Sequence, residues 1–146
     1  MFPLNDESRP AARQGLWVGF ATGLYGLSFG ALAVAAGLSV WQAVALSALL
    51  FSGGSQFALI GVLASGGSGV AAVAASSLLG LRNGFYGLQV ARMLEVRGWR
   101  RAVAAQLTID ESTAVALAQQ GSARQRVGFW ATGWSVYVFW NAMTLA

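Results

Sequence analysis

The fold is decided by residues 14–81, which contain no charged side chain: QGLWVGFATGLYGLSFGALAVAAGLSVWQAVALSALLFSGGSQFALIGVLASGGSGVAAVAASSLLGL. One helical crossing of a bilayer needs only about 20 apolar residues, so this stretch is long enough for several. A soluble domain has to solvate its surface, and average soluble domains are about 25% charged. Only 10% of this chain is charged. The sequence therefore predicts an all-α, polytopic membrane helix bundle.

Composition narrows the chemistry that the chain can perform. Its 146 residues include no cysteine and no histidine, so the commonest metal ligands and the commonest general base are missing. We therefore predict no enzyme activity, no metal site and no cofactor. The net charge of +4 comes from nine arginines. In a membrane protein such charge is typical of cytoplasmic loops, and without interleaved aromatic residues it does not indicate nucleic-acid binding.

Polar residues divide the chain into a tail and five hydrophobic segments. Residues 1–14 are predicted to be a cytoplasmic N-terminal tail, in which Arg9 and Arg13 anchor the first segment. Residues 15–146 form the predicted transmembrane permease domain, with segments at 15–36, 40–64, 70–91, 102–118 and 127–146. The chain is still apolar at Ala146, which favours a natural product that continues beyond this point.

The arginines conflict with five simple crossings. If every segment spanned the membrane, arginine-rich loops would lie on both sides, against the positive-inside tendency. The conflict disappears if segments 40–64 and 102–118 do not fully cross, and both contain polar breaks near their middles. We predict that these two segments are discontinuous or re-entrant. Irregular backbone at membrane depth requires cover by protein or water.

Small residues follow one face of the first segment, which in lipid lets helices approach closely. We interpret this face as a packing surface, with a substrate path along it as the alternative. Its members are Gly15, Gly19, Gly23, Gly26, Gly30, Ala33 and Gly37.

The first polar break is Ser52-Gly53-Gly54-Ser55-Gln56. Two glycines in a continuing helix cost about 1 kcal/mol each relative to alanine, so a break is a better use of them. A half-helix starting there would point free N–H groups and its positive dipole end into the membrane, where transporters bind substrate carboxylates. Ser55 is placed to cap this helix or to contact the ligand. A simple kink is the alternative.

The second polar stretch contains Arg82, Asn83 and Tyr86. An arginine at the centre of a spanning helix costs about 2.5–3.5 kcal/mol on insertion scales, so Arg82 needs a partner or water. Two interpretations remain open: a structural ion pair with Asp110 or Glu111, or recognition of a substrate carboxylate.

The third polar stretch places Asp110 and Glu111 inside an apolar segment. Thr108 followed by Glu111 fits a capping box, so one interpretation is that a helix starts here. The other is a site that binds the substrate ammonium group or couples transport to protons, because burial and a neighbouring like charge favour a protonated carboxyl.

Together these stretches resemble the AzlC-like family of branched-chain amino-acid permeases. The resemblance spans nearly everything after the tail, through FSGGSQFALIGVLASGG at 51–67, LGLRNGFYGLQVARML at 79–94, QLTIDESTAVALAQ at 106–119 and GFWATGWSVYVFWN at 128–141. Some members carry histidine after the arginine of the second motif. This chain has Asn83, so a proton-relay role does not carry over to that position.

The resemblance implies the large subunit of an exporter of branched-chain amino acids in the bacterial cytoplasmic (inner) membrane. It implies methionine as a further candidate substrate and a small hydrophobic AzlD-like partner subunit, and we add a homo-oligomer as a further candidate assembly. Proton coupling is our own expectation from the acidic pair. The alternatives are a passive channel for small solutes and a structural membrane subunit without transport of its own.

Overall fold

The computed structural model describes residues 6–146, which form eight helices and no strand. The fold class is therefore all-α, as predicted. The helices are α1 (Arg9–Gly23), α2 (Tyr25–Ala35), α3 (Val40–Leu49), α4 (Gly53–Ala64), α5 (Gly69–Leu94), α6 (Trp99–Gln106), α7 (Asp110–Ala118) and α8 (Ser122–Leu145). Residues 1–5 of the predicted tail lie outside the described part, and α1 already begins at Arg9.

Three rods run the length of the bundle. The first is α1 with α2, which continue through Leu24 because that residue is itself helical. This rod, Arg9–Ala35, is the one described helix that is long and apolar enough by length and composition to cross a membrane. The other rods are α5 and α8, whose 26 and 24 residues correspond to about 39 Å and 36 Å at a rise of about 1.5 Å per residue.

The first rod packs in parallel against α8 through its small residues. A Cβ atom built at Gly15 would lie 2.7 Å from Thr132 Oγ1, and one built at Gly30 would lie 2.6 Å from the Thr144 carbonyl oxygen. Larger side chains would therefore force the helices apart, which confirms the packing interpretation. Gly37 is the exception, because it has a φ of +95° in the turn after α2 and a Cβ atom built there would meet nothing within 4 Å.

The helices α3 and α4 form a first hairpin. From the end of α2, α3 returns inward until the Tyr137 hydroxyl, in the middle of α8, donates to the Ala48 carbonyl. The chain then breaks at 50–52. After the break, α4 runs antiparallel to α5, because Gly54 lies against Arg82, Ser55 lies against Gly80 and only four residues join the two helices. The hairpin therefore enters and leaves at the same end of the bundle.

The helices α6 and α7 form a second hairpin, which enters from the opposite end. Four residues join α5 to α6, and α6 leads to Leu107, which packs against Gly133 in the middle of α8. After a break at 107–109, α7 runs back until Gln119 lies against Gly128 and its amide donates to Gln14 at the start of the first rod. Both predicted breaks are thus present, and both segments return to the side from which they entered.

This arrangement places eight of the nine arginines at one end of the bundle. The Gln119–Gln14 bond joins the end of α7 to the start of α1, and Arg126 at the start of α8 donates to the Met93 carbonyl at the end of α5. We call this the arginine-rich end. It comprises Arg9, Arg13, Arg92, Arg97, Arg100, Arg101, Arg124 and Arg126.

The two hairpins make the fold an inverted pair of similar units. Each unit consists of a long rod followed by a broken hairpin, and the two rods run in opposite directions. The hairpin tips meet in the middle, where the Gln106 amide donates to the Ala48 carbonyl at 2.9 Å. The first turns of α4 and α7, which begin directly after the two breaks, both lie close to Arg82 of α5.

Candidate functional site

The first wall of the site is the start of α4. Ser52 is the N-cap residue in extended conformation, but no side chain caps this helix, whereas Ser39 and Ser68 cap α3 and α5. Ser55 is fully buried and its hydroxyl has no partner within the described residues, so the expectation that it caps α4 is wrong. Gly53 and Gly54 belong to the first turn, and the break itself lies just before them.

Arg82 spans the gap between the two half-helices. Its Nη2 atom lies 3.0 Å from Asp110 Oδ2, and a Cβ atom built at Gly54 would lie 2.7 Å from the same nitrogen. The sequence left open whether Arg82 pairs with Asp110 or with Glu111, and in the structure the partner is Asp110. The two side chains remain 39% and 40% exposed, so the pair is accessible from one side.

The electrostatics at Gly54 favour an anion. A helix start carries about half a positive charge and its first N–H groups have no partner inside the helix. Here an uncapped helix start faces a guanidinium group, so two positive groups lie side by side. A carboxylate is the natural ligand for both, because arginine and free backbone N–H groups form charge-assisted hydrogen bonds with it.

The second wall is the start of α7, where Asp110 and Glu111 occupy the first turn. Acidic side chains are favourable there because they oppose the helix dipole. The predicted capping box is wrong in its residues: the Thr108 hydroxyl donates to the Ala104 carbonyl, whereas the Ser112 hydroxyl accepts from the Ile109 N–H and donates to the Leu107 carbonyl. The predicted helix start is correct.

The remaining polar groups of the predicted site also gather here. Tyr86 lies one turn after Arg82 and beside Asp110. Asn83, which follows Arg82 in the sequence, is half-buried. Several side-chain atoms at the two helix starts and on the adjoining part of α5 are buried without a hydrogen-bond partner in the described chain, a condition that costs about 1–3 kcal/mol per group unless a ligand or water satisfies it. They are Ser52 Oγ, Ser55 Oγ, Arg82 Nε, Asn83 Oδ1, Asp110 Oδ1 and Thr113 Oγ1.

Gln56 differs from the other predicted site residues because its amide is already bonded within the protein. It is fully buried, donates to the carbonyls of Ser47 and Leu50, and accepts from Trp140 Nε1 at 2.9 Å. These bonds tie the end of α3 to the start of α4 and to α8. We therefore assign Gln56 to positioning the break.

Replacing Gln56 with leucine should destabilise the bundle strongly. The buried Trp140 indole N–H and the Ser47 carbonyl would lose their partner, at a cost of about 1–3 kcal/mol each, whereas the Leu50 carbonyl would keep its bond from the Ser52 N–H. The measurement is the midpoint of thermal unfolding of purified protein in detergent. Gln14→Leu is the matched control, because its single side-chain bond to Gln119 is exposed. An unchanged midpoint for Gln56→Leu would show that this network does not hold the break.

Sequence reasoning missed two contributors to the site. Gln106 bonds the second hairpin tip to the end of α3, and Thr113 adds a buried unpartnered hydroxyl to α7. An uncharged polar residue at the last position of a short arginine-containing helix was the available signal for Gln106. Thr113 offered the signal of a second hydroxyl directly after the acidic pair.

Comparison with known proteins gives a family match. The sequence model of the family described as AzlC protein matches residues 18–146. No curated protein and no solved structure matches the chain.

Proposed function

The chain belongs to the AzlC family, which is associated with branched-chain amino-acid transport, and we propose that it exports branched-chain amino acids in a proton-coupled manner. Methionine is the further substrate we propose, because it is also a zwitterion with an uncharged, apolar side chain. The chain would act in the bacterial inner membrane, with α1–α2, α5 and α8 crossing and the two hairpins re-entering. The arginine-rich end and the N-terminus would then face the cytoplasm, as the positive-inside tendency requires.

One observation carries this proposal: Arg82 and the uncapped start of α4 face the acidic start of α7 across the Arg82–Asp110 pair. An amino acid is a zwitterion whose two charges match these two walls. Its carboxylate would bind Arg82 and the free N–H groups of Gly53, Gly54 and Ser55. Its ammonium group would bind Asp110 and Glu111, so that substrate replaces the internal ion pair.

The inverted units support transport over a purely structural role. In secondary transporters, substrate sites lie near the bilayer midplane between inverted repeats, where discontinuous helices point their ends at the ligand. The two hairpin tips described here have that arrangement. A small hydrophobic AzlD-like subunit and a second copy of the chain are the partners we propose for the outer faces of the bundle.

Neutralising Asp110 and Glu111 should remove the ability of a proton gradient to drive leucine transport. Asp110→Asn and Glu111→Gln remove the two carboxyls at the start of α7, to which the proposal assigns proton coupling. We expect leucine movement driven by an imposed pH gradient to fall at least about tenfold, the equivalent of about 1.4 kcal/mol. The measurement is efflux of labelled leucine from proteoliposomes. Full pH-driven efflux in both variants would remove the coupling role.

The experiment that tests the proposed function uses the unaltered protein with and without its small partner. Proteoliposomes loaded with labelled leucine are subjected to a pH gradient of either sign. If leucine moves against its own gradient under only one sign of the pH gradient, the result supports proton-coupled export. Movement that is only downhill and insensitive to pH would identify a passive channel, and no movement in either preparation would favour a structural subunit.

A further inference from the structure

The helix α6 packs less extensively against the rest of the bundle than the other helices do. Its residues make few contacts with the other helices, and Trp99, Arg101 and Ala105 are all exposed. A groove of about 510 Å³ separates α6 from α5. The other half-helices have no such gap, since α4 lies against α5 and α7 lies against α8.

Small residues on both walls of this groove would allow α6 to approach α5 closely. On the α5 side it is lined by Gly84, Gly87 and Ala91 together with larger apolar residues such as Leu88, and on the α6 side by Ala104 and Ala105 together with Arg101. A Cβ atom built at Gly84 or Gly87 would meet nothing within 4 Å. Small residues on both facing walls allow two helix backbones to pack closely in a membrane.

Both ends of α6 can act as hinges. Gly98, directly before α6, has a φ of +59°, and Glu95 at the end of α5 has a φ of 51°. At the other end lies the break at 107–109. A few residues at the ends of an element are sufficient to absorb the backbone change of a hinge motion.

One side chain holds the tip of α6 away from α5. The Gln106 amide donates to the Ala48 carbonyl at 2.9 Å and to the Leu49 carbonyl at 3.3 Å, both at the end of α3. Carbonyls at a helix end have no partner within the helix, so they are ready acceptors. Ala105, which lines the groove, is the residue directly before this latch.

We infer that α6 is the gate on the arginine-rich side, hinged at Gly98 and latched open by the positioning residue Gln106. The conformation described has the gate open, because the groove leads from Arg92 and Arg101 at the arginine-rich end to Thr108 at the hairpin tip. Closing moves α6 into the groove and breaks the latch. This inference rests on the proposed transport function.

Disulfide trapping tests the gate directly, because the chain contains no cysteine of its own. The pair Ala91→Cys with Ala105→Cys places one thiol on each wall of the groove. A disulfide needs Cα atoms within about 7 Å, so cross-linking of this pair reports close approach of the two walls of the groove. We expect cross-linking that stops leucine transport and is reversed by a reductant. The control is Ala91→Cys with Ala102→Cys, because Ala102 does not line the groove.

A third change isolates Gln106. Adding Gln106→Leu to the first pair removes the latch without altering either wall, and cross-linking should become about fivefold faster, which corresponds to the loss of about 1 kcal/mol of hydrogen bonding. A residue with a merely structural role would not change this rate. An unchanged rate would overturn the assignment of Gln106 as the latch.

The remaining outcomes separate the gate from the proposed function. Absence of any cross-link under oxidation would overturn the gate. Cross-linking that leaves leucine transport at its full rate would also overturn it, while the proposed function would stand. If the cysteine-free protein moves no leucine at all, the proposed function falls and takes the gating role with it, even if the cross-link shows that α6 moves.

Discussion

Arg82→Gln should abolish most leucine transport while leaving a folded protein. The Arg82 guanidinium lies against both Asp110 and the start of α4. In our account it binds the substrate carboxylate, and a hydrogen bond to a charged group contributes about 1.5–3 kcal/mol. Transport measured as labelled-leucine uptake into proteoliposomes should therefore fall at least about tenfold.

A charge swap distinguishes this role from a purely structural ion pair. Arg82→Asp combined with Asp110→Arg retains an opposite pair between α5 and α7 but places a carboxylate against Gly54. That carboxylate would satisfy the start of α4 and occupy the place of the substrate carboxylate. We expect a folded protein without leucine transport, with thermal stability lowered by about 0.3–1 kcal/mol because an arginine at the start of α7 opposes the helix dipole unfavourably. Restored transport in the swapped protein would show that Arg82 serves only to pair with Asp110.

Gly54→Val should also remove most transport, for a steric reason. A Cβ atom at this position would lie 2.7 Å from Arg82 Nη2, closer than carbon and nitrogen can approach. The end of the Arg82 side chain would have to shift away from Gly54, and the added side chain would cover the N–H groups at the start of α4. We expect leucine uptake to fall about tenfold or more, equivalent to the loss of one charge-assisted hydrogen bond.

Gly61→Val is the matched control for this variant. Gly61 lies two turns later on the same helix, and a Cβ atom there would meet nothing within 4 Å. Both variants make the same replacement of glycine by valine on the same helix, so a difference in leucine uptake between them reports the contact with Arg82. Equal uptake in the two variants would show that Gly54 is not part of the substrate site.

Much of the fold follows from the sequence because lipid imposes strong rules. The Gly53-Gly54 pair and the Asp110-Glu111 pair are each too costly for an uninterrupted membrane helix, so both breaks were predictable. The distribution of arginines then indicated that two segments return to the side they came from. The contact between the two hairpin tips was not predictable, because it depends on the Gln106 amide reaching carbonyls more than 50 residues away.

The site was predictable in composition but less so in its assignments. Residue spacing placed Arg82, Asp110 and the Gly54 region among the groups that need partners, and the structure brings these three together. Spacing did not show which hydroxyl serves the start of α7, because Thr108 and Ser112 both lie close to that start in the sequence. The position of Gln56 within a network of backbone carbonyls also depends on contacts that no local pattern reveals.

Competition against bound, labelled leucine shows whether the site recognises both charges of the amino acid. If one wall binds the carboxylate and the other binds the ammonium group, both charges are needed for tight binding. With purified protein, leucinamide, which lacks the carboxylate, and 4-methylpentanoate, which lacks the ammonium group, should each compete at least about tenfold more weakly than leucine. If either analogue displaces labelled leucine as well as leucine itself does, the zwitterion site described here is contradicted.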